Sequence, residues 1–284
     1  MSKVILITGT STGLGISIAF QAAQAGHTVY ATMRNLDKRA ALDAAVQAAD
    51  VSLNVVQLDV QDAASVSAAM AQVLADQGRI DTLINKAGLG FARNIEQTTE
   101  AEILRIMEIN FMGVMRCTMA VLPAMRAAKS GRVVNISSVG GLVGQPFNEV
   151  YCGAKFAVEG FTEALASYVT PGFGVHFSLV EPGGMATEFS NSVLKEIGET
   201  DGMLQDDYLP LLQTYVGGSQ NGQGGDIYQT PDAVAEVVMQ VVQADAPPLR
   251  VRTSTWSEDI TALETGLDPD GLKQRPLIVE QFLR

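Results

Sequence analysis

Tyr151 and Lys155 stand four residues apart in Tyr-Cys-Gly-Ala-Lys, and Ser138 lies thirteen residues upstream. Residues four apart on a helix share one face, so a phenol and an ammonium at this spacing can point at one ligand. A neighbouring cation favours the phenolate, which brings a tyrosine pKa down from about 10 toward working pH and makes the phenol a proton donor and acceptor. The spacing alone recurs by chance on any polar helix face, so its value comes from the elements around it. Foremost is Thr8-Gly9-Thr10-Ser11-Thr12-Gly13-Leu14-Gly15, between an apolar run and a helical stretch. Glycines here permit a tight turn and close approach of the main chain to a pyrophosphate. The helix that follows offers free N–H groups and a favourable dipole. Gly9, Ser11, Thr12, Gly13, Leu14 and Gly15 are therefore candidate dinucleotide contacts.

The second apolar run selects the dinucleotide. An acidic residue at its end would bind an adenosine ribose 2′-hydroxyl, whereas an arginine accommodates a 2′-phosphate. The run ends Val29-Tyr30-Ala31-Thr32-Met33-Arg34, with no carboxylate until Asp37. Arg34 supplies a fork suited to phosphate, with Lys38 and Arg39 close behind, and Ser11 adds a hydroxyl. NADP(H) is the expected cofactor, with NAD(H) possible. An ordinary solvated charge at a strand end is the plain alternative for Arg34.

These residues must be positioned by alternating elements. Runs at 4–7, 28–32, 53–58, 82–85, 132–136 and 175–180 are rich in β-branched residues and read as strands; 14–25, 36–48, 63–76, 100–128 and 151–170 read as helices. Such alternation predicts an α/β, Rossmann-type doubly wound parallel sheet with helices on both faces. A single domain is expected over residues 1–284, with a cofactor-binding and catalytic core at 1–188, a substrate lid and flexible loop at 189–229, and C-terminal helices, strand and tail at 230–284. Within the middle part, 189–215 suits a lid over substrate, and the glycine-rich 217–225 suits a flexible surface loop. Thr230-Pro-Asp opens a further helix with an N-cap and a first-turn proline, and 249–253 reads as a short strand.

Composition removes several classes. A formal charge of −12 and a pI near 4.6 argue against nucleic acid or anionic membranes as partners. No uninterrupted apolar run reaches the roughly 18 residues of a membrane span, and the chain enters a strand directly, so no span or targeting segment is expected. With only Cys117 and Cys152, no disulfide framework is expected, and a reducing, cytoplasmic setting is the default. His27 and His176 lie in unrelated contexts, so no metal site is expected.

Motif by motif, the chain resembles the short-chain dehydrogenases/reductases over most of its length. Thr8–Gly15 is similar to the family's Thr-Gly-x-x-x-Gly-x-Gly. Asp59-Val60 sits where the family binds adenine, and Asn85-Lys86-Ala87-Gly88 stands for its Asn-Asn-Ala-Gly. Asn110 falls at its catalytic asparagine, and Ser138, Tyr151 and Lys155 complete a tetrad. Pro182-Gly183, Met185 and Thr187 stand in the segment that holds the nicotinamide carboxamide. A finer resemblance is to the 17β-hydroxysteroid dehydrogenase type 1 and retinol dehydrogenase branch, through Val29–Arg34, the run from Pro146 to Gly160, and the run from Phe173 to Leu179. The resemblance implies reversible hydride transfer between a nicotinamide and a hydrophobic ketone or alcohol. Tyr151 would exchange the proton and Ser138 would bond the same oxygen. Lys155 would lower the Tyr151 pKa and hold the nicotinamide ribose, while Asn110 would fix a proton-relaying water. It also implies a homodimer or homotetramer built through the helices at 100–128 and 151–170.

Two positions depart from the pattern. Lys86 replaces the second asparagine of Asn-Asn-Ala-Gly, exchanging a neutral amide for a donor-only cation. A local structural adjustment is the preferred explanation, over contact with the cofactor. Met185 takes a position that is often Val or Ile, and its flexible thioether can reshape the pocket. The expected substrate pocket draws on Val139, Gly140, Gln145, Phe147, Glu149, Met185, Phe189 and Tyr208, with Met203 a further apolar candidate. The expected function is an NADP(H)-dependent ketoreductase or alcohol dehydrogenase. A dedicated hydroxysteroid or retinol dehydrogenase, a dinucleotide-sensing regulator without turnover, and a sugar-nucleotide epimerase are the alternatives, in falling order.

Overall fold

A computed structural model describes residues 2–185, 207–220 and 228–283. Its strands are β1 (Val4–Thr8), β2 (Thr28–Met33), β3 (Asn54–Gln57), β4 (Thr82–Asn85), β5 (Gly131–Ile136), β6 (Val175–Glu181), β7 (Gly184–Met185), β8 (Tyr228–Gln229) and β9 (Arg250–Arg252). Its helices are α1 (Leu14–Gln24), α2 (Ala40–Ala48), α3 (Ala63–Gln77), α4 (Glu100–Met107), α5 (Gly113–Ala128), α6 (Glu149–Phe173), α7 (Leu209–Gln220), α8 (Pro231–Gln243), α9 (Thr255–Thr265) and α10 (Gln274–Leu283). Seven strands form one parallel sheet in the order β3-β2-β1-β4-β5-β6-β9. The winding reverses between β1 and β4, where ligands bind in such sheets.

Side-chain alternation along β1 shows how the sheet is covered. Ile5 and Ile7 face a cluster with Leu14 and Ile18 of α1, Leu42 of α2, and Val234 and Val238 of α8. Val4 and Leu6 face the opposite cluster, with Val66 and Val73 of α3, Val121 of α5, and Ala166 and Val169 of α6. Leu6 is fully buried, and truncating such a side chain to alanine costs about 2–5 kcal/mol. Polar contacts set the helix ends. Thr99 and Glu102 form a capping box on α4, and Thr230 caps α8 ahead of Pro231, as expected. At the other end of α8, Arg132 donates to the carbonyls of Val242 and Ala244 at 2.5 and 2.7 Å, placing a cation at the negative end of the helix.

Three details depart from the expected elements. The helix at 100–128 is interrupted by a π-helical turn, Glu108–Met112, which carries Asn110. Together these pieces, Glu100–Ala128, are long and apolar enough to cross a membrane by length and composition, although the uninterrupted apolar runs are short. Ile106, Val114, Cys117, Val121 and Met125 are buried on the stripe facing the sheet and α6, as befits a core helix. Residues 217–220, expected in a flexible loop, extend α7, because glycines cost little in a fraying last turn. Residues 221–227, 187, 189 and 203 lie outside the described residues, so Thr187, Phe189, Met203 and most of the expected lid have no structural account.

Candidate active site

The glycine-rich turn leaves β1 at Thr8 and enters α1 at Leu14. Gly9 and Gly13 have φ of 75° and 52°, the left-handed region that favours glycine. Gly15 is needed for space, because a Cβ there would lie 2.2 Å from the Gly9 carbonyl oxygen. No side chain caps α1, and the Ile16 amide donates to the Gly13 carbonyl at 2.9 Å, so the amides of Leu14 and Gly15 are the ones turned to the cleft. Ser11 and Gly13 are half-buried beside them, Thr12 is exposed, and Leu14 is buried beneath. A cradle that a methyl group would fill, facing uncapped amides, fits a dinucleotide pyrophosphate.

At the end of β2, Arg34 is exposed, and its carbonyl is tied to Gln57 Nε2 of β3 at 3.1 Å. Arg39 is paired with Asp43 at 2.7 Å and points its charge there. Asp59, just past β3, accepts from the Gln61 amide through Oδ1 at 3.0 Å. Val60 is packed against α5 at Gly113, where a Cβ would meet Val60 at 2.9 Å.

At the switch point, the amides of Lys86 and Ala87 both donate to Thr8 Oγ1 at 3.0 Å, locking the ends of β1 and β4 together. Ala87 and Gly88 stay half-buried at the cleft. The Lys86 ammonium reaches over the turn to the Gly9 carbonyl oxygen at 3.3 Å. Burial lowers its pKa to about 8. Asn85 departs from the expected site: its side chain is buried beneath it, donating to Asn135 Oδ1 at 2.8 Å and Thr118 Oγ1 at 3.3 Å. Any cofactor contact it makes falls to its main chain.

Asn110 also differs from expectation. Its Oδ1 accepts from the Leu89 amide at 2.7 Å and its Nδ2 donates to the Leu89 carbonyl at 2.8 Å. The side chain thus clamps the loop after β4 and has both polar atoms committed. A π-helical turn shifts the hydrogen-bond ladder by one residue, which frees a main-chain carbonyl. Contact with a relaying water would have to come from the main chain.

Ser138, Tyr151 and Lys155 come together as the spacing implied. Ser138 ends the segment after β5, where its Oγ accepts from the Gly140 amide at 3.0 Å, and its hydroxyl is hydrogen-bonded to Tyr151. Ser137 is buried and faces Glu159, away from Tyr151. Lys155 lies one turn along α6, with Nζ 5.7 Å from the Tyr151 ring centroid and donating to the Ile136 carbonyl at 2.8 Å. The expected depression of the Tyr151 pKa is absent. Burial pushes the phenol up to about 12, against a smaller lowering by Ser138. Lys155 is itself desolvated and lowered to about 8, while Glu159 favours its charge and Lys86 opposes it. The phenol is therefore protonated at neutral pH beside a cation whose charge is costly to hold.

A family model for short chain dehydrogenases matches residues 3–198. The chain belongs to the short-chain dehydrogenase family. Bovine retinol dehydrogenase 8 (Bos taurus) is 36% identical over 282 residues, covering 95% of this chain and 86% of that protein. Human 17-beta-hydroxysteroid dehydrogenase type 1 (Homo sapiens) is 38% identical over 257 residues, covering 88% and 77%. Among solved structures, the F189W actinorhodin polyketide ketoreductase with NADPH superposes with a TM-score of 0.74 at 27% identity, covering 89% of this chain and 96% of that one. The resemblance to the hydroxysteroid and retinol dehydrogenase branch is thereby established, as is the Rossmann-type single domain.

Around this short-chain dehydrogenase centre, the remaining candidates divide. Val139 and Gly140 are buried beside Ser138, and a Cβ on Gly140 would lie 3.4 Å from both Ser138 Oγ and Tyr151 Cε1. Pro182 accepts from the Val139 amide at 3.0 Å, and Gly183 leaves room for Trp256, whose ring would be 2.9 Å from a Cβ. Met185 is half-buried in the short β7–β8 pair. Gln145 is half-buried and Glu149 exposed in the first turn of α6. Phe147, at φ 62°, is buried with its ring 5.9 Å from that of Tyr215. Tyr208 donates to the exposed Glu96 at 2.8 Å, so it docks the residues entering α7 onto the core.

One group escaped sequence reasoning, and Tyr215 was reached only as the last residue of the expected lid. Tyr215 of α7 accepts from Asn148 Nδ2 at 2.9 Å and packs on Phe147, and burial raises its pKa, so it docks α7 onto the segment that leads into α6. Behind the serine segment lies a buried ion network. Glu159, Glu163 and Glu181 surround Arg250, and Glu181 and Glu258 flank Arg252. Burial raises both Glu159 and Glu181, and the shift persists because carboxylates outnumber guanidinia. Among the described residues, no cluster of three or more His, Cys, Asp or Glu side chains is arranged to hold a metal.

Proposed function

We propose that this chain is an NADP(H)-dependent oxidoreductase that interconverts a hydrophobic ketone and its secondary alcohol. The carrying observation is the Tyr151 phenol, bonded to Ser138 and one helical turn from Lys155, beside an uncapped glycine-rich helix N-terminus. A nicotinamide dinucleotide supplies or removes the hydride. Gly9, Gly13 and the first turn of α1 would hold its pyrophosphate, Arg34 an adenosine 2′-phosphate, and the Pro182–Gly183 segment its nicotinamide end. In reduction Tyr151 donates its proton to the substrate oxygen, and Ser138 stabilises the negative charge that grows there. The phenolate left behind is stabilised by the Lys155 cation, which must then help return a proton from solvent. Oxidation of the alcohol runs the same steps in reverse, with Tyr151 taking the substrate proton.

Exposed Arg34, with Arg39 committed to Asp43, supports NADP(H) over NAD(H). Buried Val139, Phe147 and Leu212, with Tyr215 beside Phe147, support an apolar substrate. A dedicated hydroxysteroid or retinol dehydrogenase is the second form of this proposal, favoured by the names of the two curated relatives. Free, buried Cys117 and Cys152 support a reducing setting such as the cytoplasm. Exposed Leu104 and Met119 on 100–128, with Phe156 and Tyr168 on α6, support a homodimer or homotetramer through those helices.

The test is oxidation of NADPH and of NADH by the purified protein with acetophenone, a diaryl ketone, a 17-ketosteroid and retinal. Turnover of the aryl ketones, faster with NADPH, is the expected outcome. Turnover confined to the steroid or to retinal selects the dedicated enzyme. Tight cofactor binding without turnover of any carbonyl would overturn the ketoreductase assignment in favour of a sensor.

A further inference from the structure

In a chain of formal charge −12, the cleft at the switch point is lined by positive groups: Arg34, the N-terminus of α1, Lys86 and Lys155. Three of these have a place in the chemistry above. Lys86 has none, yet it is the residue whose main chain joins β1 to β4 and whose side chain crosses the glycine turn. We propose that Lys86 is a cofactor-binding residue, whose ammonium engages an anionic phosphoryl oxygen of the dinucleotide. This inference rests on the cofactor assignment above.

The environment of Lys86 carries the argument. A half-buried ammonium is expensive without an anion or a full set of acceptors. The other desolvated cations have nearby acids: Glu159 for Lys155, Asp81 for Lys3, and Glu159, Glu163 and Glu181 for Arg250. Among the described residues no carboxylate pairs with Lys86, and burial lowers its proton affinity. Its one acceptor among the described residues, the Gly9 carbonyl oxygen at 3.3 Å, lies at the long end of hydrogen-bond range. An ammonium has three donors, so that contact leaves two for a ligand. The neutral amide that the family motif places here carries no charge to desolvate, so a merely structural role does not account for a lysine. The repulsion between Lys86 and Lys155 is likewise relieved by an anion in the cleft between them.

The experiment titrates NADPH and NADH into wild type, Lys86→Asn, Lys86→Met and Lys86→Arg, following the fluorescence of Trp256. This is the only tryptophan in the chain, and it packs on Gly183. Lys86→Asn restores the motif amide and should fold; Lys86→Met is the second neutral variant, and melting temperatures check both. Both neutral variants should raise the Kd for NADPH about tenfold, equivalent to about 1.4 kcal/mol. They should also show a shallower loss of affinity between about 0.01 and 0.15 M ionic strength, where the Debye length falls from about 30 to 8 Å. Lys86→Arg should keep both the affinity and the salt dependence. Neutral variants that bind within about twofold of wild type, or that weaken with an unchanged salt dependence, overturn the assignment of Lys86 alone. Wild-type protein that binds neither NADPH nor NADH overturns the cofactor assignment and this one with it.

Discussion

Replacing Arg250 by methionine should destabilise the protein severely, and more so at alkaline than at acid pH. Arg250 Nε lies 3.3 Å from Glu159 Oε2 and 3.4 Å from Glu181 Oε1, and its Nη2 binds Glu163. Glu181 has no solvent exposure and Glu159 has 4%. Removing one partner from a buried ion pair costs about 3–5 kcal/mol, because the remaining charge has no water to turn to. At about 2 °C per kcal/mol for a chain of this size, the melting temperature should fall by about 6–10 °C near pH 8. The pH dependence has a definite sign. Both carboxyls have folded-state pKa values above their unfolded value, so between the two values the folded protein holds more protons and stability falls as pH rises. Losing Arg250 raises them further, which enlarges the deficit toward pH 8 and shrinks it near pH 5, where both are protonated. Thermal melts followed by circular dichroism at the two pH values measure this directly. A melting temperature equal to wild type at pH 8, or a deficit larger at pH 5, would refute the assignment of Arg250 as the counter-charge of the network.

Arg34→Ala should lower the ratio of kcat/KM with NADPH to that with NADH by about 10- to 100-fold, the worth of a charge-assisted phosphate contact; steady-state kinetics with both cofactors decide it, and an unchanged ratio rejects the 2′-phosphate role. The rate of carbonyl reduction should be level below pH 8 and fall above it, because a Lys155 pKa lowered to about 8 means the cation is lost there, while Tyr151 near 12 keeps its proton. A pH–rate profile flat to pH 10 contradicts that role for Lys155.

Apolar, β-branched runs alternating with helical stretches made the sheet legible: the expected runs at 4–7, 82–85 and 175–180 correspond to β1, β4 and β6 within a residue at either end. These strands are buried on both faces, so continuous Val, Ile and Leu leave little ambiguity. The glycine turn and the Ser138-Tyr151-Lys155 set were legible because they are local or fixed by one strand–helix connection. What the sequence hid depends on contacts between distant segments. Glu159, Glu181, Arg250 and Arg252 meet only because β9 pairs with β6. The π-helical turn at Glu108–Met112 has no compositional signature, and without it Asn110 reads as a free amide when it is a clamp on Leu89. The upward direction of the Tyr151 pKa was hidden for a related reason: the presence of Lys155 can be read from spacing, but the burial that raises the phenol cannot. Residues 217–220 misled through composition, since glycine is disfavoured in helices yet tolerated at their ends.

The most direct test is Tyr151→Phe, assayed for NADPH-dependent reduction of a ketone that wild type turns over, alongside NADPH affinity. Removing the proton donor while keeping the ring should lower kcat by about 100- to 10,000-fold and leave the Kd for NADPH within about twofold. Retention of more than about a few per cent of wild-type turnover, far above what a lost general acid permits, would contradict the claim that the Tyr151 phenol delivers the proton.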